Sequence, residues 1–276
     1  MLRYDLHCHS TCSDGVLTPA AVVARAAAQG VDVLALTDHD GTDGLAEARQ
    51  AAALSDIKLI DGAELSVSWE GLTIHVVALG IDPDNTTLSQ GLEAVRSGRK
   101  TRARRMANAL AEAGIGGAYE GAMKYVTSER LISRTHFARY LVEAGYANQV
   151  SDVFNRFLTP GKPGYVAHDW ATLSQATSWI RAAGGQSVLA HPGRYKVSVS
   201  GMRRLLADFR DAQGDAIEVV SPSHTPQQYA EFATHARVFG LRASCGSDFH
   251  GPVDGSMDFR DLPDLPAGVD PVWNHW

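Results

Sequence analysis

The sequence predicts an α/β fold in which about seven β–α units close into a barrel, with one helical insertion. Short apolar stretches alternate with helical patterns before residue 98 and again after residue 165, which is typical of strands joined by helical crossovers. Polar residues follow almost every apolar stretch, and a closed barrel brings all such strand ends to one mouth. An open doubly wound sheet is the alternative fold, but it would bring together only residues from the strands near its switch point.

Length and composition fit a globular protein. The 276 residues are 45% hydrophobic and 20% charged. No run of about 18 apolar residues predicts a membrane-spanning helix. The first residues lack the basic and apolar segments of a secretory signal, so we expect a cytoplasmic location. The three cysteines include no Cys-x-x-Cys pair, which argues against a thiolate-bound structural zinc.

Charge is unevenly distributed along the chain. The net charge is −6, yet the segment from Arg96 to Gly164 contains twelve Lys or Arg against five Asp or Glu. An acidic body is suited to binding cations, and a basic segment beside it is suited to an anionic substrate.

Local signals define the elements before the insertion. Thr18 and Pro19 are suited to begin a helix as N-cap and first helical residue, and Gly30 is suited to end it. The apolar run from Val31 to Thr37 indicates a strand buried on both faces, as in a parallel sheet. We also expect a first strand leading into His7 and His9, a helix at 44–54, and strands at 57–60 and 73–79.

The insertion and the second half follow. One or two helices with a basic face are expected at 84–114, then weaker helical patterns to 157 and a Pro- and Gly-rich loop at 159–165. We therefore assign residues 1–98 and 165–276 to the barrel and 99–164 to a helical insertion. After it we expect helices at 173–183, 201–212 and 226–239, strands at 186–190, 216–219 and 241–245, and an irregular tail.

Nine polar residues at the strand ends form the candidate site. Residues two apart on a strand share a face, so His7 and His9 point together, and Asp248 and His250 repeat that spacing. The nine are His7, His9, Asp14, His39, Glu64, His75, His191, Asp248 and His250. Such a cluster is costly if dry and unpaired, and metal ions are the simplest compensation. Nine ligands exceed what one ion takes, so we expect two or three ions, and nitrogen and oxygen ligands favour Mn, Fe or Zn.

Motifs for competing chemistries are missing from the sequence. It contains no Gly-x-Gly-x-x-Gly, no Walker-type phosphate loop and no Gly-x-Ser-x-Gly. A dinucleotide-binding enzyme, a P-loop enzyme and a serine hydrolase are therefore disfavoured.

The set of motifs resembles the PHP family of metal-dependent phosphoesterases, named for polymerase and histidinol phosphatase. The matching motifs are His7-x-His9 with Asp14, Thr37-Asp38-His39-Asp40, Glu64 with His75, His191-Pro192, and Asp248-x-His250. The resemblance implies a distorted (β/α)7 TIM-like barrel with a trinuclear site, in which manganese is the first choice of metal. It also implies that Glu64 bridges two ions. One would use His7, His9 and Asp248, the other His75 and His191, and the third ion Asp14, His39 and His250.

The chemistry that the resemblance implies is hydrolysis of a phosphate ester. Two adjacent cations lower the pKa of a shared water and neutralise charge that develops on the phosphate. A metal-bridging hydroxide held by Glu64 is then the expected nucleophile, and no residue is assigned as general acid.

The insertion contains a second motif, Ser133-Arg134-Thr135-His136-Phe137. Taken alone, this motif fits an ordinary amphipathic helix equally well. It is similar, together with Gly161-Lys162-Pro163, to the insertion of stand-alone bacterial PHP members, the nucleoside 3′,5′-bisphosphate phosphatase and 5′-3′ oligoribonuclease subgroup. The resemblance implies a cap that binds substrate phosphate. The candidates for binding this phosphate are Ser133, Arg134, His136, Lys162 and Arg194. Arginine is suited to bidentate phosphate contacts. Tyr165 and Phe137 are open to two interpretations, stacking on a base or core packing.

The expected activity is removal of the 3′-phosphate from nucleoside 3′,5′-bisphosphates, which leaves a 5′-nucleotide. A 5′-3′ exoribonuclease acting on short RNA is the first alternative. A histidinol-phosphate phosphatase is the second, although a basic cap exceeds what that small substrate requires. In a metal-binding module without enzymatic activity we would expect some ligand residues to be replaced, and here every motif position is filled. The expected partner is thus a nucleotide or a short RNA; no membrane or protein partner is implied.

Overall fold

The structure is a computed structural model, and it describes residues 2–126, 129–252 and 257–276. The strands are β1 (Tyr4–Asp5), β2 (Val33–Leu36), β3 (Lys58–Trp69), β4 (Leu72–Leu79), β5 (Gln186–Leu189), β6 (Ala216–Val220) and β7 (Arg242–Cys245). The α-helices are α1 (Pro19–Ala28), α2 (Leu45–Ala52), α3 (Thr86–Glu112), α4 (Ala118–Met123), α5 (Arg134–Glu143), α6 (Val150–Val153), α7 (Leu173–Ala182), α8 (Val199–Asp211) and α9 (Pro226–Phe239). Short 3₁₀ and π turns supplement them at Glu129–Leu131, Phe154–Leu158, Pro192–Arg194, Phe259–Asp261 and Val272–His275.

The seven strands form one sheet in chain order, and its edges meet beside β1 and β7 to give a nearly closed barrel. At the closure, the Leu6 N–H donates to the Cys245 carbonyl at 3.0 Å. A parallel bridge between Cys8 and Phe249 continues this contact towards the mouth. The barrel-like α/β fold predicted from the sequence is therefore confirmed, and the open doubly wound alternative is wrong.

The expectation that all strands run parallel is wrong for β4. This strand is antiparallel to both β3 and β5, whereas the other described neighbours are parallel. The cause is a two-residue hairpin turn at Glu70 and Gly71, whose φ angles of 43° and 77° are those of a turn that matches the twist of paired strands. One crossover helix is therefore replaced by a tight turn.

The predicted third strand was also too short. The sequence predicted a strand at 57–60, with the following polar residues as its end, but β3 continues through Glu64 to Trp69. Its outer half is held by pairing with β4, in which Ser66 lies opposite His75. Because β4 runs the other way, His75 reaches the mouth from the first half of its strand rather than from a carboxyl end.

Helix α1 begins as predicted. The Thr18 side chain accepts a hydrogen bond from the Ala21 N–H, and Pro19 occupies the first helical position. Gly30 follows the helix with a φ of 80°, a conformation that glycine adopts without steric cost.

The cap has its own hydrophobic core. Helix α3 is continuous over 27 residues. Its first half places Leu88 and Leu92 in the barrel core, and its second half places Met106 and Leu110 with Phe137 in a separate cluster. The division at residue 99 falls inside this helix and stays a prediction. Among the described residues, no helix is both long and apolar enough to cross a membrane.

Candidate metal centre and phosphate cleft

The barrel mouth brings all nine predicted residues together. Their donor atoms form four overlapping groups, and within each group the atoms lie within 4.8 Å of one another. The groups are His9–Asp14–His39–His250, His7–His9–Asp248, His7–Glu64–His191 and His39–Glu64–His75. The cluster thus draws on residues from both ends of the chain, as the barrel hypothesis required.

Glu64 is the hub of this cluster. Its carboxylate is fully buried, and Oε1 lies 2.8 Å from His75 Nδ1 and 3.0 Å from His191 Nε2. Its other oxygen, Oε2, lies 2.8 Å from His39 Nδ1. The two carboxylate oxygens therefore face different histidines, which is the arrangement that a bridging ligand requires.

Several atoms of the cluster lack a hydrogen bond. Asp14 Oδ1, Glu64 Oε2, His39 Nδ1 and His75 Nδ1 are buried without a partner, although the ring nitrogens lie close to Glu64. Unsatisfied polar atoms in a dry interior are costly. Nitrogen and oxygen atoms that converge without bonding one another fit divalent cations between them.

The grouping differs from the division implied by the resemblance in one respect. His75 and His191 both contact Glu64, but they fall into separate groups, one with His39 and the other with His7. The other two groups contain the residue sets expected for their ions. Which ion each residue holds stays a prediction.

The histidines of the cluster differ in the direction in which their pKa values are shifted. Burial lowers the pKa of His9 to about 3 and that of His75 to about 4. Burial opposes the charge on His250 as well, but the Asp14 and Asp248 carboxylates raise its pKa to about 9. His9 and His75 are thus ready to bind a cation at neutral pH, whereas His250 must first release a proton.

Two of the nine residues have unusual backbone angles. His191 and Asp248 have φ values of 29° and 47°, in the left-handed region that non-glycine residues rarely adopt. Such strain persists only where the surroundings hold it in place, and it is concentrated at functional sites.

Sequence reasoning missed the carboxylates that support the cluster from outside. Asp38 accepts hydrogen bonds from the Ser10 N–H at 2.7 Å and the Ser13 hydroxyl at 2.6 Å, which fixes the loop after β1. Glu218 lies 2.6 Å from His7 Nδ1 and accepts from the His191 N–H at 2.5 Å. A glutamate inside the apolar strand β6 was a signal that could have identified Glu218.

An arginine-rich cleft opens directly beside the cluster. It has a volume of about 80 Å³, and its lining includes His39, His75, His250, Arg99, Arg102, Arg134 and Arg194. Sequence reasoning had placed Arg99 and Arg102 on the basic face of a helix without assigning them to the site. Their three-residue spacing on α3 places them on one face, which here is turned towards the mouth.

Arg102 is a buried cation in this cleft. Only 7% of the residue is exposed, and its Nε donates to the Val166 carbonyl at 3.0 Å. Within the described chain no carboxylate pairs with it, whereas Arg99 pairs with Asp40. Burial, with the nearby Arg134 and Arg99, lowers the pKa of Arg102 to about 9. A buried guanidinium without a counter-charge favours an incoming anion.

A larger cleft of about 430 Å³ adjoins the first. Arg134, Arg194, Phe154 and Tyr165 are among its lining residues. It has the size of a small-molecule site, and it presents aromatic surface beside cations. Tyr165 is therefore placed where a base could stack, whereas Phe137 is fully buried in the cap core.

The predicted phosphate-binding residues are placed unequally. Arg134 and Arg194 line both clefts, and Ser133 lines the smaller one. His136 is fully buried and lines neither; its Nδ1 accepts from the Ser133 N–H at 3.0 Å in a capping box, and its Nε2 has no hydrogen-bond partner. Lys162 is exposed on its loop and also lines neither cleft. The roles of all five in phosphate binding stay predictions.

Comparison with known proteins places the chain in a family. The family model described as the PHP domain matches residues 5–212. The chain belongs to the PHP domain family. The PHP chain is 50% identical to a 3′,5′-nucleoside bisphosphate phosphatase of Chromobacterium violaceum, over 99% of this chain and 96% of the relative. It is 44% identical to the 5′-3′ exoribonuclease Rnm of Salmonella typhimurium, over 99% of this chain and 93% of the relative.

A solved structure supports the fold of this PHP protein. An amidohydrolase from Chromobacterium violaceum, determined with bound sulfate and no metal, is 50% identical and superimposes with a TM-score of 0.95. The match covers 99% of this chain and 95% of that one. Both the barrel and the helices between β4 and β5 thus have a counterpart in a known structure.

Proposed function

We propose that this PHP protein is a metal-dependent phosphomonoesterase that removes the 3′-phosphate of nucleoside 3′,5′-bisphosphates and releases a 5′-nucleotide. The full-length similarity to a relative named for that activity supports the substrate class. The observation that carries the proposal is the arginine-rich cleft beside the nine-residue cluster. A substrate with two phosphates needs two adjacent anion sites, and metal ions at the cluster together with the arginines of the cleft would supply them.

Two to three divalent ions, with manganese first and iron or zinc as alternatives, would be held by the nine residues. Bound there, the ions would supply charge neutralisation at the reacting phosphate and a lowered pKa for bound water. Glu64 would bridge two of the positions, because its two oxygens face different histidines.

The remaining residues bind and orient the substrate. Arg102 and Arg134 present guanidinium groups to a phosphate that does not react, and Arg194 lies between the two clefts. Arg194 Nη1 also lies 2.9 Å from Asp248 Oδ2. Arg194 therefore contacts the nine-residue cluster and lines the clefts proposed for the substrate. Bidentate contacts of this kind fix orientation as well as affinity.

The second candidate function is 5′-3′ exoribonuclease activity on short RNA. It is favoured by the 44% identity to a relative of that name over nearly the whole chain. The larger cleft adjoins the site and could admit a second nucleotide.

We also propose that residues 99–164 form a cap domain over the site. We further propose that the protein is located in the cytoplasm.

A substrate comparison tests the proposal. The metal-loaded protein is assayed with adenosine 3′,5′-bisphosphate, adenosine 3′-phosphate, histidinol phosphate and a 5′-phosphorylated RNA trinucleotide. We expect inorganic phosphate and adenosine 5′-monophosphate from the bisphosphate, with the highest kcat/KM of the set. A higher kcat/KM for nucleotide release from the RNA would favour the exoribonuclease. The absence of phosphate release from every substrate would refute the proposal.

A further inference from the structure

Glu218 is a charged residue in the middle of an apolar strand. It lies on β6, where the other four residues are buried and apolar, and only 1% of Glu218 is exposed. The pairing of β6 with β7 shifts register between Glu218 and Val220. A bulge of this kind re-aims a side chain locally. The chain thus places a carboxylate inside the barrel, where burial without partners would be costly.

Both carboxylate oxygens of Glu218 contact residues of the nine-residue cluster. Oε1 lies 2.6 Å from His7 Nδ1, and Oε2 accepts from the His191 N–H at 2.5 Å. The two histidines follow different strands, β1 and β5. One side chain therefore connects two candidate ligands from opposite halves of the chain.

The contact with His7 decides which ring nitrogen carries the proton. A carboxylate oxygen accepts hydrogen bonds, so in this contact Nδ1 of His7 is the donor. Nε2 then faces the cluster, 3.1 Å from His9 Nε2 and 3.4 Å from Glu64 Oε1. An imidazole held in this way offers its Nε2 lone pair to a cation.

The contact with His191 acts on the backbone. Its φ of 29° is strained, and the hydrogen bond from its N–H to Glu218 holds that conformation. In this conformation His191 Nε2 reaches Glu64 Oε1 at 3.0 Å.

We propose that Glu218 is a positioning residue for the metal centre, which fixes the Nδ1–H form of His7 and the backbone of His191 so that both present Nε2. This inference rests on the proposed metal site and adds a residue outside the nine. A structural role alone would stabilise the barrel without changing the affinity for metal.

Glu218→Gln separates the two roles. An amide offers one acceptor and one donor where the carboxylate offers two acceptors. If its NH₂ faces His7, Nδ1 must accept and the proton moves to Nε2. If its NH₂ faces His191, two donors oppose each other and the strained backbone shifts. In either case one candidate ligand is lost or displaced.

The measurement is Mn²⁺ affinity, obtained from free Mn²⁺ by electron paramagnetic resonance. Loss of a residue that orients metal ligands typically weakens metal affinity about tenfold to a hundredfold, and we expect that loss for Glu218→Gln. Asp215→Asn is the matched control, because Asp215 also joins β6 to β5, accepting from the Ser187 N–H at 2.9 Å, at the opposite end of the barrel. The control should bind Mn²⁺ as the unchanged protein does. Equal affinity in Glu218→Gln and the control would overturn the proposal.

A second measurement needs no folded variant at Glu218. Nitrogen-15 NMR of the Zn²⁺-loaded, histidine-labelled protein reports which ring nitrogen of His7 carries the proton, with the signal assigned from its loss in His7→Gln. We expect the proton on Nδ1, and a proton on Nε2 would contradict the proposal. Failure of the proposed metal site is distinguishable, because the unchanged protein would then bind neither Mn²⁺ nor Zn²⁺ at the cluster.

Discussion

Arg102→Met offers a test in which activity and stability should change in opposite directions. The substitution keeps a long, unbranched side chain and removes the charge. If Arg102 binds the phosphate that does not react, its loss removes a charge-assisted contact worth roughly 1.5–3 kcal/mol. We expect kcat/KM for adenosine 3′,5′-bisphosphate to fall about tenfold to a hundredfold.

The stability of the substrate-free protein should rise. Burial, with repulsion from Arg134 and Arg99, lowers the pKa of Arg102 to about 9 in the folded state, and this shift corresponds to a destabilisation of up to ~5 kcal/mol. This cost is present at all pH values below about 9, because there the guanidinium is charged in both the folded and the unfolded protein. The lost hydrogen bond to the Val166 carbonyl offsets about 1 kcal/mol. The guanidinium carbon of Arg102 also lies 5.3 Å from the centroid of the Trp170 ring, and the loss of this contact offsets about the same amount. The net gain is thus up to ~3 kcal/mol, and each kcal/mol gained should raise the melting temperature by about 2–4 °C.

Two controls accompany this variant. Arg105→Met makes the same change on an exposed residue of α3 and should alter neither quantity. p-Nitrophenyl phosphate has only the reacting phosphate, so its kcat/KM should be unchanged in Arg102→Met. The reasoning is refuted if both substrates lose activity equally, or if the melting temperature falls.

Three further predictions concern the metal centre and the cap. Glu64→Gln weakens the proposed bridge, so turnover should fall by about three orders of magnitude; near-normal kcat with full metal content would show that Glu64 does not bridge. Arg134→Ala should leave the metal content unchanged and lower kcat/KM for the bisphosphate about tenfold to a hundredfold, whereas an equal loss with p-nitrophenyl phosphate would assign Arg134 to the reacting phosphate. Because the metal-free His250 has a pKa of about 9, apparent Mn²⁺ affinity should strengthen from pH 7 to pH 8.5 as that proton becomes easier to remove; equal affinity at the two pH values would contradict the proton release expected from His250.

The candidate site could be read largely from the sequence because its residues recur at the ends of apolar stretches. That inference used the two-residue period of strands and the closure of a barrel, and the structure brings the nine residues together. It worked even for His75, whose strand runs in the unexpected direction. A histidine near the start of an antiparallel strand reaches the same edge as one at the end of a parallel strand.

The direction of β4 depended on a weak turn signal. Glu70-Gly71 lies between two alternating patterns and fits a two-residue hairpin. The polar residues from Asp61 to Glu64 resembled a strand end, so the continuation of β3 was missed. Pairing with β4 overrides this local pattern, because it holds the stretch from Gly62 to Trp69 against the whole of β4.

Long-range packing determines which residues of the helices reach the site, and the sequence alone does not predict this. Arg99 and Arg102 belong to a helix whose path over the barrel mouth depends on two separate cores, and no local pattern encodes that path. The capping box takes up Nδ1 of His136, whereas its Nε2 is buried without a hydrogen-bond partner, so the role of His136 at a phosphate stays a prediction. Motif matching identifies such a residue without saying which partner it finds.

A titration of the metal-free protein with Mn²⁺ tests the central claim most directly. Bound metal and phosphate release from adenosine 3′,5′-bisphosphate are followed in the same samples. We predict no phosphate release before metal is added, and a rise that reaches its plateau when two to three ions are bound per chain. Full activity in the metal-free protein, or a plateau with fewer than two ions bound, would contradict the assignment of the nine residues as the metal centre.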